Sequence, residues 1–148
     1  MIPDLRGMYS WETDKYIRAV RDARRKVEAN IADDRLDREM RRFLGKIYFS
    51  IRNCGALPQE RALNAAATNA FNFSDVILEA GADGMTLRDV TVEPSPLNRP
   101  GGEYYDVLLT FFDPNERQRR APLLARFTID VSDTVPVMIG DPVTWNEW

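Results

Sequence analysis

Side chains able to move a proton or attack carbon at neutral pH are scarce in this sequence. Histidine is absent, and cysteine occurs once, as Cys54. That removes Ser-His-Asp and Cys-His arrangements, the common histidine-containing zinc sites and the usual neutral-pH general base. Cys54 follows a strong helical pattern, and a helix C-terminus is the wrong end to stabilise a thiolate, so it reads as a small buried residue. Asp130 and Asp133 are the nearest approach to a paired acid, although capping or surface roles account for them equally well. No GxGxxG, Walker, HExxH or GxSxG pattern occurs, and Gly101-Gly102 marks a turn rather than a phosphate cradle. Arg117, Arg119 and Arg120 crowd a hairpin tip without aromatic neighbours to stack bases, which fits a solvated loop. No catalytic, cofactor-binding or metal-ligating residue is assigned.

Hydrogen-bonding groups at fixed spacing do occur. Pro58 suits the first turn of a helix, where a missing N–H costs nothing, and helix formers follow it up to the Gly-Ala-Asp-Gly break at 81–84. Winding this segment as one helix puts Ala62, Leu63, Ala66, Ala67, Ala70, Phe71, Ser74, Ile77 and Leu78 on one broad face. Small alanines there admit another element closely. Asn64, Thr68 and Asn72 then form a polar row on the other side, at four-residue intervals. Buried amides satisfying nearby backbone groups explain this row most simply, and a row that bonds an extended peptide is the sharper reading.

The elements around these residues are legible from periodicity. A chain of 148 residues fits one domain with a real core, here 10–148 behind an irregular arm at 1–9. Ser10 caps a helix from Trp11, with Tyr16, Ile17, Val20, Ala23 and Val27 at helical spacing. Arg18, Arg21, Arg24, Arg25 and Lys26 fill its remaining arc, which reads as a solvated face before it reads as a docking strip for an acidic leader peptide or nucleic acid. Leu36, Met40, Phe43, Leu44, Ile47, Tyr48 and Ile51 mark the strongest helix, which Gly55 ends.

Beyond residue 85 the period changes to two. Leu87, Val90 and Val92 mark a strand with an irregularity near Asp89. The proline-rich stretch 94–102 is a long loop. The strand Tyr104–Phe112 is apolar on both faces, so it is expected to be central and covered on both sides. Leu123–Val131 alternates cleanly, and Val135, Val137 and Ile139 suggest a short edge strand. Trp145 and Trp148 lie in the tail. The fold class is α+β, with two to three N-terminal helices packed on one face of a three- or four-stranded antiparallel sheet.

Charge is nearly balanced, net −3 from 20 basic and 23 acidic residues, unlike the basic excess of a dedicated nucleic-acid binder. Neither a membrane span nor a signal-peptide core is visible, and one cysteine suits a reducing cytoplasm. The expectation is a cytoplasmic protein that engages neither nucleic acid nor membrane.

Several blocks over roughly residues 35–145 stand in the same order as in a known family. They are Ile47-Tyr48-Phe49-Ser50-Ile51-Arg52-Asn53, Pro58-Gln59-Glu60-Arg61-Ala62-Leu63-Asn64 with Ala66-Ala67-Thr68-Asn69-Ala70-Phe71, and Glu93-Pro94-Ser95-Pro96. Two more follow: Asp106-Val107-Leu108-Leu109-Thr110-Phe111-Phe112-Asp113-Pro114 and Phe127-Thr128-Ile129-Asp130-Val131-Ser132-Asp133. The chain resembles the C-terminal domain of unknown function of the cyanobactin biosynthesis proteins PatA and PatG, as a standalone relative. A cysteine pair frequent in that family after the Ser-Pro segment is replaced here by Leu97-Asn98-Arg99-Pro100-Gly101-Gly102. The sequence in hand carries no subtilisin-like protease, so neither proteolysis nor macrocyclisation is carried over.

The resemblance implies an accessory or recognition module in the biosynthesis of ribosomally synthesised, post-translationally modified peptides. Its partner would be a precursor peptide or a peptide-modifying enzyme. The motif residues Arg52, Asn53, Glu60, Arg61, Asn64, Thr68, Asn69, Asp130 and Asp133 are the candidates for binding, although buried polar networks specify structure as readily as they bind ligands. A histidine-independent enzyme acting on the peptide and a structural homodimerisation domain are the alternatives.

Overall fold

Four helices precede four strands among the residues described by a computed structural model of the chain, namely 6–25, 33–49, 56–97, 99–116, 120–133 and 135–147. The helices are α1 (Arg6–Arg25), α2 (Asp33–Phe49), α3 (Pro58–Thr68) and α4 (Ala70–Ala82). The strands are β1 (Thr86–Pro94), β2 (Tyr104–Phe112), β3 (Leu123–Asp130) and β4 (Val137–Asn146). They pair antiparallel in chain order, β1-β2-β3-β4. The α+β expectation holds, with one helix more than the sequence suggested.

The heptad-like spacing in α2 does what it predicts. Leu36, Met40, Phe43, Leu44 and Ile47 are all buried, as are Ile17 and Val20 of α1. α1 starts at Arg6 rather than Trp11. Part of its basic arc is structural: Arg21 pairs with Asp37 of α2 at 2.8 Å, and Arg41 of α2 reaches back to Asp14. Arg18 is exposed and donates to the Asp14 carbonyl at 3.2 Å.

The long helix expected from Pro58 onward is two helices. At Asn69 the backbone leaves helical geometry (φ −96°, ψ 27°), and both its N–H and its side-chain amide donate to the Ala65 carbonyl, at 3.0 and 2.8 Å. The side-chain amide thus back-bonds to the same carbonyl as its own N–H, an arrangement that bends helices. One consequence is that Asn64 and Asn72 lie on different helices, so the straight polar row read from the sequence does not exist. Ala62, Leu63, Ala66 and Ala67 form the buried face of α3, and their small volume lets that helix lie across all four strands.

Tyr105, Val107, Leu109 and Phe111 of β2 point to the helices, joined by Ala125, Phe127 and Ile129 of β3 and by Leu87 and Val90 of β1. Phe43, Phe73 and Phe127 stack in series through this core, with centroids 4.9 and 3.7 Å apart. The opposite face of β2 is only half-buried at Tyr104, Leu108 and Phe112. The strand is therefore central but lacks the second covering layer its sequence suggested. Apolar residues on that face are sheltered by their cross-strand neighbours instead, such as Leu108 beside Arg126.

The register of β1 shifts between Leu87 and Asp89, at the expected irregularity. Glu39 of α2, itself buried, accepts from the Leu87 N–H at 3.1 Å at that point. β4 is longer than anticipated. Gly140 (φ 67°) and Pro142 disguise it as a loop in the sequence, and pairing with β3 breaks between Arg126 and Thr128 before resuming.

Candidate functional site

Four of the nine motif residues, Glu60, Arg61, Asp130 and Asp133, meet in one structural feature, a clasp between the start of α3 and the turn that leaves β3. Glu60 sits in the first turn of α3 and accepts from the backbone N–H groups of Ala56 (2.8 Å) and Leu57 (3.2 Å). That is half of a capping box, because the leucine at the N-cap has no acceptor to return. One residue on, the Arg61 guanidinium crosses to the strand end. It donates to the Val131 carbonyl at 2.9 Å and to the Asp133 carbonyl at 3.2 Å. Two backbone oxygens that the sheet leaves unpaired are thereby satisfied.

The turn itself is built by Asp130. Its Oδ1 accepts from the Ser132 hydroxyl at 2.5 Å and from the Ser132 N–H at 2.9 Å. Ser132 Oγ in turn accepts from the Glu103 N–H at 2.7 Å, while the Glu103 carbonyl takes the Val131 N–H at 2.9 Å. The Ser132 hydroxyl, then the Ser132 N–H and the charge of Arg99, hold the Asp130 carboxyl below its ordinary value of 3.8 against some desolvation. The Phe-Thr-x-Asp-Val-Ser-Asp signature therefore encodes an Asx turn locked to the start of β2.

Arg61, Asp130 and Asp133 thus belong to one assembly, with Glu60 at its edge. The Asp133 contribution is its main-chain carbonyl. Asn69 stands apart, at the break between α3 and α4. Asn64 is half-buried and partnered. Arg52, Asn53 and Cys54 lie outside the described residues, as does the side chain of Thr68. The clasp groups spend their hydrogen bonds on the fold. Arg61→Ala is expected to cost about 2 kcal/mol, the scale for losing hydrogen bonds from a charged donor, in a urea titration followed by circular dichroism.

The Asp130 turn makes a pH prediction. Its folded value is depressed, so its stabilisation is present above the unfolded value and is lost as pH falls through the folded one. Asp130→Asn should lower the melting temperature at neutral pH. It should match the parent protein in acid below both values. Thermal scans at the two conditions check the sign.

A second feature went unnoticed in the sequence. The C-terminal turn of α4, the segment before β3 and the end of β4 enclose a cleft of about 490 Å³. Met85, Ala121 and Leu123 line it together with the polar residues Glu79, Asp83 and Arg120, and the end of β4 contributes Thr144, Trp145 and Asn146. Arg120 does not project into solvent at a hairpin tip. Its Nη1 donates to the Asp83 carbonyl at 2.6 Å, and it pairs with the carboxylates of Asp83 (3.3 Å) and Asp113 (3.5 Å). The Arg126 guanidinium lies 5.8 Å from the Trp145 ring centroid, a cation–π distance that orients the indole. No short motif predicts this cleft, since three separated segments build it. The one early hint was an arginine-rich turn and a tryptophan-rich tail, read separately.

Among the described residues, no group of histidine, cysteine or carboxylate side chains is arranged to hold a metal ion. No described helix is long and apolar enough to cross a membrane. What the fold and these two features define is a small helix-on-sheet domain whose polar signature secures its own backbone. The family model for the PatG C-terminal region matches residues 30–145. A solved structure described as the PatG domain of unknown function is similar over 88% of this chain, at 34% identity and a TM-score of 0.73. The chain spans about half of that structure's length, 49%. No curated protein gives a match. The chain belongs to the PatG C-terminal family.

Proposed function

We propose that this domain is a non-catalytic recognition module in the biosynthesis of ribosomally synthesised, post-translationally modified peptides, engaging an extended precursor peptide. Family membership supports the setting. The observation that carries the binding mode is the free edge of β4.

The two sheet edges differ. β1 carries a register shift, exposed Arg88 and Asp89, and Pro94 at its end, devices that discourage strand addition; those of β4 are confined to Gly140, Asp141 and Pro142, which leaves Val143–Asn146 continuous. β4 instead exposes Val143, with Val135 and Val137 exposed further back. Its register also sets which backbone groups point outward. Glu147 N–H donates to the Pro122 carbonyl at 3.1 Å, and Leu123 lies opposite Asn146. Alternation in an antiparallel ladder then turns Trp145 and Val143 toward β3, leaving the N–H and C=O groups of Thr144 and Asn146 facing away from the sheet. An extended peptide can pair with these by β-addition.

Mixing the protein with its precursor peptide in a calorimeter, and recording the peptide's mass afterwards, tests the reading. Binding with unchanged mass is the expected result. Thr144→Pro should then weaken it strongly, because it deletes an outward N–H without touching the β3 ladder. No binding at high micromolar concentration overturns the proposal. A changed mass makes the protein an enzyme, and a concentration-dependent dimer in ultracentrifugation assigns the edge to a second copy.

A further inference from the structure

We infer that the cleft beside the end of β4 receives a cationic side chain, the guanidinium of an arginine or the ammonium of a lysine. The inference rests on the recognition reading and deepens it, since Thr144 and Asn146 belong both to the free edge and to the cleft wall.

Charge decides the ligand class. Among the described residues the cleft presents two carboxylates, Glu79 and Asp83, and one cation, Arg120. Arg120 is already matched twice, by Asp83 and by Asp113, whose side chain is 12% exposed. Glu79 is exposed at the cleft and makes no ion pair among the described residues. The described lining is left with a net negative charge, which would repel an anionic ligand and attract a cation. Met85, Ala121 and Leu123 add the apolar area against which an arginine or lysine stem packs. A volume of about 490 Å³ accommodates such a side chain with room for water.

Geometry supplies the route. A peptide paired to the outward groups of Thr144 and Asn146 runs along the cleft mouth, and alternate side chains of that strand point to the helix side of the sheet. One of them enters beside Glu79, next to the Thr144 and Asn146 positions. The edge gives sequence-independent affinity, and the cleft selects a basic residue at one position.

The test uses a small probe, so that it reads the cleft without requiring strand addition. N-acetyl-arginine N-methylamide is titrated into the full chain, with amide signals followed by NMR. The expected result is a saturable shift of the Thr144 and Asn146 amides, weakening with added salt. The citrulline analogue, equal in shape but uncharged, should produce much smaller shifts. Glu79→Lys should weaken the arginine probe at least about tenfold, as an attractive pair becomes a repulsive one. Glu79 is an exposed helix position, so the variant keeps its fold, which the remaining signals verify. Absence of a saturable shift overturns the inference, and so does equal response to citrulline or an unchanged response in Glu79→Lys. Those outcomes leave the calorimetric test of peptide recognition standing on its own, and a failure there does not alter the probe result.

Discussion

Replacing Phe73 with alanine is expected to lower the unfolding free energy by about 4 kcal/mol, the upper part of the range for deleting a buried aromatic ring. Phe73 is fully buried and stacks on both neighbours, with centroids 4.9 Å from Phe43 of α2 and 3.7 Å from Phe127 of β3. No other side chain joins the helical layer to the sheet through two ring contacts of this kind among the described residues. The substitution removes transfer free energy and both stacking interactions, and it leaves a void walled by rigid aromatic faces that collapse poorly. For a domain of this size the melting temperature should fall by about 8–16 °C. Phe73→Leu should recover roughly half the loss, because it refills volume without restoring the stacks. Chemical denaturation of the three proteins checks the order. A loss below about 1 kcal/mol for alanine would mean that the ring stack is not the spine of the core.

How far the sequence disclosed this architecture depended on whether the relevant signal was local. α2 was readable residue by residue because Leu36, Met40, Phe43, Leu44 and Ile47 repeat at the helical period and all are buried. β3 was readable through its alternation, and the β1 irregularity through the awkward placement of Asp89. The break at Asn69 was hidden, since asparagine is only a mediocre helix residue and nothing in its neighbours reveals that its amide turns back to Ala65. The first half of β4 was legible as an edge strand at Val137 and Ile139, and its second half was hidden for the opposite reason. Gly140 and Pro142 look like breakers, yet at an edge they are accommodated by the register shift.

The candidate residues divide along the same line. Family resemblance drew attention to Arg61, Asp130 and Asp133, and the fold does bring them together. Their purpose depends on contacts across about seventy residues of sequence, since Arg61 bonds the carbonyls of Val131 and Asp133. Periodicity carries no information at that separation. The cleft is an extreme case: Glu79, Arg120 and Trp145 sit on three elements, and each alone reads as an ordinary surface residue. In this chain Glu60, Arg61 and Asp130 spend hydrogen bonds on the backbone of the fold, and the cleft lies on other elements.

Asp106→Ala is expected to cost about 2–3 kcal/mol and to disturb a residue that Asp106 does not touch. Asp106 faces away from the helices yet is 2% exposed, which places a carboxylate under its cross-strand neighbours. Its Oδ1 accepts from the Thr128 hydroxyl at 2.7 Å, and Arg126 Nε lies 3.9 Å from Oδ2. Directly opposite on β1 stands Glu93, a like charge that works against the arrangement. The alanine variant loses a charge-assisted hydrogen bond and leaves the Thr128 hydroxyl unpaired in a half-buried site. It also releases Arg126 from its anchor. That guanidinium stacks near Trp145, so the indole should lose its fixed orientation, seen as a shifted indole N–H resonance and weaker near-ultraviolet dichroism. Asp106→Asn separates the two effects. It keeps an acceptor for Thr128 and relieves the repulsion from Glu93, so its stability cost should stay below about 1 kcal/mol, while Arg126 still loses its ionic partner. If the asparagine variant moves the Trp145 signals without a comparable loss of stability, Asp106 orients the indole through Arg126. If both variants leave the indole where it was, Trp145 is held by β4 alone.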